Sequence, residues 1–501
     1  MRHPFFCLAA CAAATLLGGC ATYRPAPVDP AATRAQWQAR RLDDPTLAAR
    51  LRPWLPARDH GQWPPSSYGR AELVLAALAL NPDVDEARSH LAEASAAVRT
   101  AGALPNPTLS LALERYTQAQ AGSAPWLWGF STDFLLDGGL RRRLRVQLAD
   151  QGVRGARLDY AESLWKVRSA VRDALVQQRI AQRQQTLAAR TMAAAEALEQ
   201  AARQRVALGE DEPQVALQAA QTLAQARSDQ AAAAQRLAGA QSQLARAIGL
   251  PSSALEGLDL RWEGFDQPTA PTPAQLDTLA DQALLARPDL ERALVDYASR
   301  ETELRQQVHN QYPQLSLGPG YTYDHGMRKL TFNASLSLPV FNQNQGPIAE
   351  ARARRETAAA HVRAVQADIA GAIDAARARL TTALPALAAA RAGRQAAERT
   401  RAQAEHAFAL GAIDRPALLA ARLSALAAEQ TALAALEAAW QAEAALEDAL
   451  RTPLDAEEAA LWRPMETRDP LAPAAKNEGP QPGPQAAAMK DGKAVPAGES
   501  P

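Results

Sequence analysis

The chain has 501 residues, a formal net charge of zero and 47% hydrophobic residues. The length allows several domains, and the balanced charge gives no reason to expect a nucleic-acid partner. Beyond the N-terminal signal, no run is apolar and long enough for a membrane-spanning helix, so we expect any membrane crossing to be made by strands.

The first residues have the features of a targeting signal. Residues 1–19 begin with basic residues and continue as an apolar run that is too short to cross a bilayer. The run ends Leu-Gly-Gly-Cys, which resembles the lipobox of bacterial lipoproteins and implies an N-terminal lipid on Cys20. Ala21 after the cysteine implies sorting to the outer membrane. An ordinary secretory signal with a chance cysteine is the alternative.

Cysteine usage excludes two kinds of site. Of the three cysteines, Cys7 and Cys11 would leave with the signal. The mature chain would keep only the acylated Cys20, so it has no disulfide framework and no Cys-based metal or redox site. We expect no metal site and no cofactor besides the lipid on Cys20.

The rest of the chain is an internal duplication. The segment NPDVDEA around Pro82 matches RPDLERA around Pro288, and NPTLSL around Pro107 matches YPQLSL around Pro313 at the same offset. Two further matches, ALGEDEP with ALGAIDRP and AIGLP with ALRTP, follow in the same order. The predicted organisation is a lead-in over 20–69, a first repeat over 70–251, a linker over 252–274, a second repeat over 275–453 and a disordered Pro-, Gly- and Ala-rich tail over 454–501.

Each repeat has the order helix, two strands, long helix, turn, long helix, so the predicted fold class is mainly α with a small β part. Unbroken runs of helix formers cover about 140–206 in the first repeat and about 347–408 and 417–448 in the second, with a kink expected at Pro385. Apolar residues among the alanines recur at coiled-coil spacing, which favours close helix packing: Leu164, Val167, Val171 and Leu175.

The strands alternate between apolar and polar residues. They are predicted over about 107–116 and 125–136 in the first repeat and about 313–323 and 330–341 in the second, a length that suits tilted membrane-spanning strands. The apolar face has Leu109, Leu111, Leu113, Trp126, Trp128, Phe130, Phe134, Leu136, Leu315, Leu317, Tyr321, Tyr323, Leu330, Phe332, Ala334, Leu336 and Leu338. The polar face of the last strand has Thr331, Asn333, Ser335 and Ser337. A soluble sandwich is the alternative to a membrane sheet.

Four strands cannot close a barrel, and open sheet edges are not tolerated in hydrocarbon. We therefore expect several copies to pool their strands. Two copies would give an eight-stranded barrel filled by its own side chains, and three would give a twelve-stranded barrel with room for a lumen. The small, uncharged polar face suits a water-filled pore, and the apolar face suits lipid.

The lipobox, the duplicated halves, the strand starts PNPTLSL and YPQLSL and the Leu-Gly turns resemble TolC-type outer-membrane efflux proteins over about residues 70–453. The resemblance implies a homotrimer with a twelve-stranded barrel in outer-membrane lipid above a periplasmic helical tunnel. It also implies a passive duct, not an enzyme, that works with a periplasmic adaptor (a membrane fusion protein) and an inner-membrane pump. The segments LLDGGLRRRLR and LSLPVFNQNQGPIAEARARRE are most similar to the branch that serves heavy-metal and cation pumps. Related ducts that serve organic compounds share these features and are the alternative.

The turns between the long helices are the helix tips, and the resemblance assigns them to adaptor contact and to the periplasmic entrance. The matching residues are Leu208, Gly209, Leu410 and Gly411. Simple helix capping is the alternative.

Some family members gate this entrance with aspartates, but the corresponding positions here are Ala417 and Ala420, so the acidic gate is in doubt. Acidic residues closer to the turns would give the entrance a negative field that favours cations: Glu210, Asp211, Glu212 and Asp414. A solvated acidic turn at the start of a helix is the alternative.

Asp324, His325 and Met327 lie between the strands of the second hairpin, where we expect an outer turn and not a metal site. No phosphate-binding loop, nucleophile elbow or metalloprotease motif occurs. The function predicted from sequence is a passive efflux duct. Its alternative is a periplasmic coiled-coil lipoprotein, a scaffold or adaptor without a pore. The sequence does not identify the transported compound.

Overall fold

The computed structural model describes residues 23–52, 63–118, 122, 124–136, 139–268, 270–456, 458–460 and 462. The predicted signal and Cys20 lie outside the described residues, so acylation of Cys20 stays a prediction. Among the described helices, none combines the length and the hydropathy that a bilayer crossing requires.

The lead-in contains two short helices, α1 (Pro30–Ala39) and α2 (Pro45–Leu51). Each begins with an aspartate cap followed by proline, a sequence that favours a helix start. Arg40, just after α1, donates to the carbonyls of Leu80 and Gly249 at 2.7 and 3.1 Å. The lead-in is therefore attached to the first repeat.

The two repeats have the predicted element order, which confirms the fold class. The first consists of α3 (Arg70–Leu80), α4 (Pro82–Gly102), β1 (Thr108–Arg115), β2 (Trp126–Leu136), α5 (Gly139–Ala207) and α6 (Pro213–Ile248). The second consists of α7 (Pro273–Ala286), α8 (Pro288–His309), β3 (Leu315–Asp324), β4 (Met327–Leu336), α9 (Gln345–Ala409) and α10 (Arg415–Leu450). Helix α9 continues through Pro385.

One antiparallel sheet contains all four strands, in the order β1-β2-β3-β4. The repeats are joined at its centre, where β2 pairs with β3. The two edges, β1 and β4, therefore belong to different repeats.

The fourth strand differs from the prediction. It begins at Met327 and ends at Leu336, before the predicted end at residue 341. The next amide, of Ser337, donates only a long hydrogen bond of 3.4 Å across to the start of β3. Pro339 then lacks the amide hydrogen that further pairing would need. Ser337 and Leu338, predicted for the two faces of the strand, lie just outside it.

The long helices form a layer in the order α6-α5-α10-α9. Helices α4 and α8 continue this layer toward the sheet, packed on α5 and α9. The apolar residues predicted at coiled-coil spacing on α5 are all buried: Leu164, Val167, Val171 and Leu175. Among the described elements, α6 and α9 are the outer members of this order of long helices.

A close junction connects the short helices to the end of α6. The Asn81 side chain, between α3 and α4, donates to the Ala247 carbonyl at 2.8 Å. Gly249 follows α6 with φ 89°, and a Cβ at this position would lie 2.6 Å from the Leu80 carbonyl oxygen. Only glycine fits both the backbone conformation and the space.

A buried ion cluster lies where the repeats meet. Arg168 and Arg172 of α5 are among the largest fully buried side chains. Arg168 Nη1 lies 2.7 Å from Glu447 Oε2 on α10, and its Nη2 donates to Glu458 Oε2 at 2.7 Å. Arg172 donates to Glu447 at 2.9 Å and to Asp448 at 3.0 Å. Because each cation has carboxylate partners, the cluster tolerates burial.

The first part of the predicted disordered tail over 454–501 is ordered in the structure, which describes residues 454–456, 458–460 and 462. Glu458 is buried in the ion cluster and also lies 2.7 Å from Arg70 Nε. The Trp462 ring packs edge-on against Trp165, with centroids 5.3 Å apart. Glu458 and Trp462 therefore belong to the core, and residues 463–501 lie outside the described residues.

Candidate functional site: the sheet and the helix tips

The apolar face of the sheet is open. Rows of apolar side chains cross all four strands, and one row pairs Leu111 with Phe130, Phe130 with Tyr321 and Tyr321 with Leu330. Leu330 is 75% exposed and Phe332 is 82% exposed. A large apolar area of this kind needs an apolar environment outside the chain.

Aromatic rings of this face gather near the hairpin ends of the strands. Trp128 contacts Tyr321 and Tyr323, with ring centroids 5.6 and 5.8 Å apart. Trp126 lies beside them, and the Arg115 guanidinium is 5.5 Å from its ring centroid. Tryptophan, tyrosine and arginine at one end of an apolar band are typical of a membrane–water interface.

The opposite face is polar and closely spaced. Its central row pairs Ser110 with Ser131, Ser131 with Gly320 and Gly320 with Thr331. A Cβ on Gly320 would lie 2.7 Å from Thr331 Oγ1. Asn333 and Ser335 continue this face and are exposed, and their contact with channel water stays a prediction.

The polar face also carries charges that the sequence prediction missed. Glu114 lies on the same face of β1 as Ser110, and Asp133 lies on the same face of β2 as Ser131. Neither carboxylate makes an ion pair with a described residue. Lys329 lies on the same face and pairs with Asp324 at 2.5 Å. The alternation of β1 and β2, followed beyond their serines, would have found both carboxylates.

The second hairpin closes through a two-residue turn, as predicted for the segment with Asp324, His325 and Met327. His325 and Gly326 both have positive φ, 51° and 97°, which suits a tight hairpin turn. Asp324 and Met327 are the last strand pair, and the Asp324 carboxylate contacts both His325 and Lys329. These contacts give the acidic and imidazole groups of the segment a role in the turn.

The two helix tips have the same backbone. Gly209 and Gly411 have φ 75° and 71°, and the amide after each glycine donates back to the preceding helix at 2.9 and 2.8 Å. Leu208 and Leu410 are 74% and 71% exposed. Both helix tips therefore carry an exposed leucine beside a glycine turn.

Arg205 connects the tips, and sequence reasoning missed it. It donates to Asp211 at 2.7 and 3.1 Å and lies 3.5 Å from Glu210 and 3.3 Å from Asp414. The hydrogen bonds from Arg205 lower the pKa of Asp211. One arginine therefore contacts three of the four acidic residues that were predicted to give the entrance its field, and Glu212 is the fourth.

The predicted acidic residues that precede the returning helices differ in their capping roles. Asp414 accepts a hydrogen bond from the Ala417 amide at 2.9 Å and caps α10. Glu212 precedes α6 without a side-chain cap. Ala417 and Ala420 are exposed but carry no charge, so an aspartate gate at these positions is absent.

The sheet and the tips lie at opposite ends of α5. The helix has 69 residues and is about 100 Å long at the α-helical rise. The molecule thus separates a surface suited to lipid from one suited to protein contact by far more than a globular domain requires.

The sequence model of a family described as outer membrane efflux protein matches residues 73–250 and 279–450, one match in each repeat. No curated protein matches the chain. Among solved structures, the outer membrane protein VceC of Vibrio cholerae is 16% identical, with a TM-score of 0.62 over 77% of this chain and 97% of VceC. The open state of the MtrE outer membrane channel of Neisseria gonorrhoeae is 20% identical, with a TM-score of 0.62 over 76% of this chain and 88% of MtrE. The CmeC outer membrane channel of Campylobacter jejuni is 17% identical, with a TM-score of 0.62 over 76% of this chain and 85% of CmeC. At these identities the likeness concerns the fold.

Proposed function

Because the chain belongs to the outer membrane efflux protein family, we propose that three copies form one passive duct across the outer membrane and into the periplasm. The sheet carries this proposal, since it has an exposed apolar face, a polar opposite face and two unpaired edges. Lipid against the apolar face and water against the polar face would satisfy both faces. The twelve strands of three copies would pair the edges and leave room for a lumen.

The two edges of the sheet and of the helical layer belong to different repeats, and this distribution supports a ring of copies related by rotation. β1 and α6 come from the first repeat, and β4 and α9 from the second. A head-to-tail contact would place the first-repeat edge of one copy against the second-repeat edge of the next, in the sheet and in the helical layer at once. Contacts of this type form a ring when the rotation closes.

The tips fit a protein partner. Leu208 and Leu410 are exposed beside glycine turns that let another backbone approach closely. We assign this end to a periplasmic adaptor, through which an inner-membrane pump delivers the cargo and supplies the energy. The duct needs no catalytic group for this role.

We extend the proposal to metal cations as cargo. Glu114 and Asp133 on the polar face and Glu212 at the tip support it, because carboxylates along a narrow path favour cations. A reversal potential that shows anion preference across a salt gradient would exclude cationic cargo without affecting the duct.

Planar-bilayer recording tests the duct. We expect the purified protein to be trimeric in mild detergent and to give stable unitary conductance. A monomer without conductance would favour a periplasmic coiled-coil lipoprotein, a scaffold or adaptor without a pore.

The lipid anchor is a separate proposal, supported by the lipobox-like segment before Cys20. Cys20→Ala should abolish metabolic labelling with palmitate and leave the conductance intact. Persistent labelling would show that the lipid is attached elsewhere.

A further inference from the structure

A groove of about 560 Å³ lies on the helical body, away from the sheet and from the tips. Helix α10 forms its floor, and α5 and α9 form its walls. The predicted linker closes one end, where Phe265 is buried and stacks on Trp440 of α10, with ring centroids 5.4 Å apart. The linker is therefore packed against the helices, and the groove has a fixed shape.

Arginines dominate the lining of this groove. They are Arg179, Arg183, Arg190, Arg391 and Arg394. Only two carboxylates, Asp266 of the linker and Glu429 of α10, line it with them. Positive charge is in excess, although the chain as a whole is neutral.

Two of the arginines already hold carboxylates. Arg183 Nη2 donates to Asp266 at 2.9 Å within a two-bonded pair. Arg190 donates to both oxygens of Glu429 at 3.1 and 2.9 Å. These pairs show that the walls accept planar anionic groups at hydrogen-bond distance.

The other three arginines form no ion pair within 4 Å with a carboxylate of the described residues, although the charges of Arg179 and Arg391 act on Asp266. Arg391 donates to the backbone carbonyl of Asp266. The Arg179 guanidinium lies 4.9 Å from the Trp262 ring centroid, and its Nε is buried without a hydrogen-bond partner. Arg394 lines the groove, and its charge contributes to the lowered pKa of Glu398 without an ion pair within 4 Å in the described residues. Burial and the charge of Arg183 lower the pKa of Arg179, and the Asp266 carboxylate only partly opposes them.

We propose that this groove is a binding site for an anion that carries two or more carboxylate or phosphate groups. One group would bind Arg179 and Arg391, and another would bind Arg394. Its volume lies in the range of small-molecule sites. Since the site is built from one chain and lies far from the sheet, the proposal does not depend on the duct.

Binding can be measured on the full-length protein in mild detergent at constant ionic strength, with citrate and pyrophosphate as probes. We expect saturable binding by calorimetry, a rise in the melting temperature and a change in tryptophan fluorescence that Trp262→Phe removes. The double variant Arg179→Gln/Arg394→Gln should weaken binding at least tenfold.

Arg399→Gln is the matched control, because Arg399 is exposed on α9 and does not line the groove. Its binding should equal that of the unmodified protein. Circular dichroism of each variant separates lost binding from lost folding. Absence of saturable binding to any probe, or equal binding by the double variant and the control, would overturn the proposal.

A hexaglutamate peptide distinguishes two sources of the anionic groups. Binding of citrate or pyrophosphate identifies a free small anion. Binding of the peptide alone identifies an acidic polymer that passes along the groove. In both cases the double variant must lose the interaction.

Discussion

The two repeats share their backbone plan but have different surroundings. Asn81 in the first and Arg287 in the second occupy matching positions, and each side chain donates to the last turn of its returning helix, at 2.8 and 2.5 Å. Yet α5 buries twenty of its 69 residues, and α9 buries six of 65. Duplication has preserved the local geometry, while the position in the layer decides which surface becomes core.

The same contrast appears at the residue that ends each returning helix. Gly249 and Arg451 both have positive φ, 89° and 53°. Gly249 packs closely against the Leu80 carbonyl, whereas the Arg451 side chain donates to Glu162 at 2.8 Å. One backbone conformation therefore serves as a close contact in the first repeat and as an ion-pair anchor in the second.

The largest expected effect separates arginines on the two outgoing helices. Arg168→Ala on α5 should lower the free energy of unfolding by about 3–5 kcal/mol, because it leaves Glu447 and Glu458 buried with fewer partners. Arg377→Ala on α9 removes only an exposed pair with Asp277 and should cost under about 1 kcal/mol. Urea unfolding in detergent measures both changes in the free energy of unfolding. Equal losses for the two variants would contradict the distinction between a buried ion cluster on α5 and an exposed pair on α9.

The two sheet faces should differ almost as strongly. Phe332→Arg, near the middle of β4 on the apolar face, should cost about 2–4 kcal/mol in a bilayer. Asn333→Arg, on the polar face beside it, should assemble normally and change the conductance. Refolding into lipid vesicles with urea titration provides the energies. Equal damage from both substitutions would contradict the proposed orientation of the sheet.

Acidic pH should destabilise the folded protein through the buried ion cluster between the repeats. Burial raises the pKa of Glu447, but the charges of Arg168 and Arg70 outweigh it and hold the pKa at about 2, below the ordinary 4.5. Since the folded state lowers this pKa, its stabilisation is complete above about pH 4.5 and is lost as the pH falls toward 2, by about 3 kcal/mol. Unfolding measured between pH 6 and about pH 3 should show this decline, and Glu447→Gln should flatten it.

The smallest expected effect concerns two glycines of the first repeat. Gly249→Ala should cost about 2 kcal/mol or more, because the added Cβ meets a backbone oxygen at 2.6 Å in a left-handed conformation. Gly209→Ala at the tip has the same kind of φ with nothing within 4 Å of the added atom, and should cost about 1 kcal/mol. Melting temperatures in the reverse order would contradict the close junction at Gly249.

The sequence predicted the features that depend on local pattern. Periodicity and the duplicated prolines located the long helices and the hairpins, and the Leu-Gly pairs located both tips. The end of β4 was misplaced because alternation continues through Ser337 and Leu338 after pairing has stopped. A period of two indicates which residues share a face, but not how far the partner strand reaches.

The buried charged residues could not be predicted from the sequence pattern. Arg168 and Arg172 read as polar positions of an amphipathic helix, and their partners lie almost three hundred residues later in the chain. Glu458 and Trp462 stand in a segment whose composition otherwise predicts disorder. Arg205 looked like an ordinary helix-terminal residue, because its contact with Asp414 exists only once the two tips are side by side.

Helix α5 passes the junction at Asn81 without a break, whereas α4 begins there at Pro82 and α6 ends there at Ile248. The long helix can therefore tilt about the packed contact at this junction, which acts as a pivot. The tip lies about 50 Å from that point along α6, so each degree of tilt about the pivot moves Leu208 sideways by about 1 Å. A small adjustment of side chains around Gly249 would thus produce a much larger displacement of the helix tip.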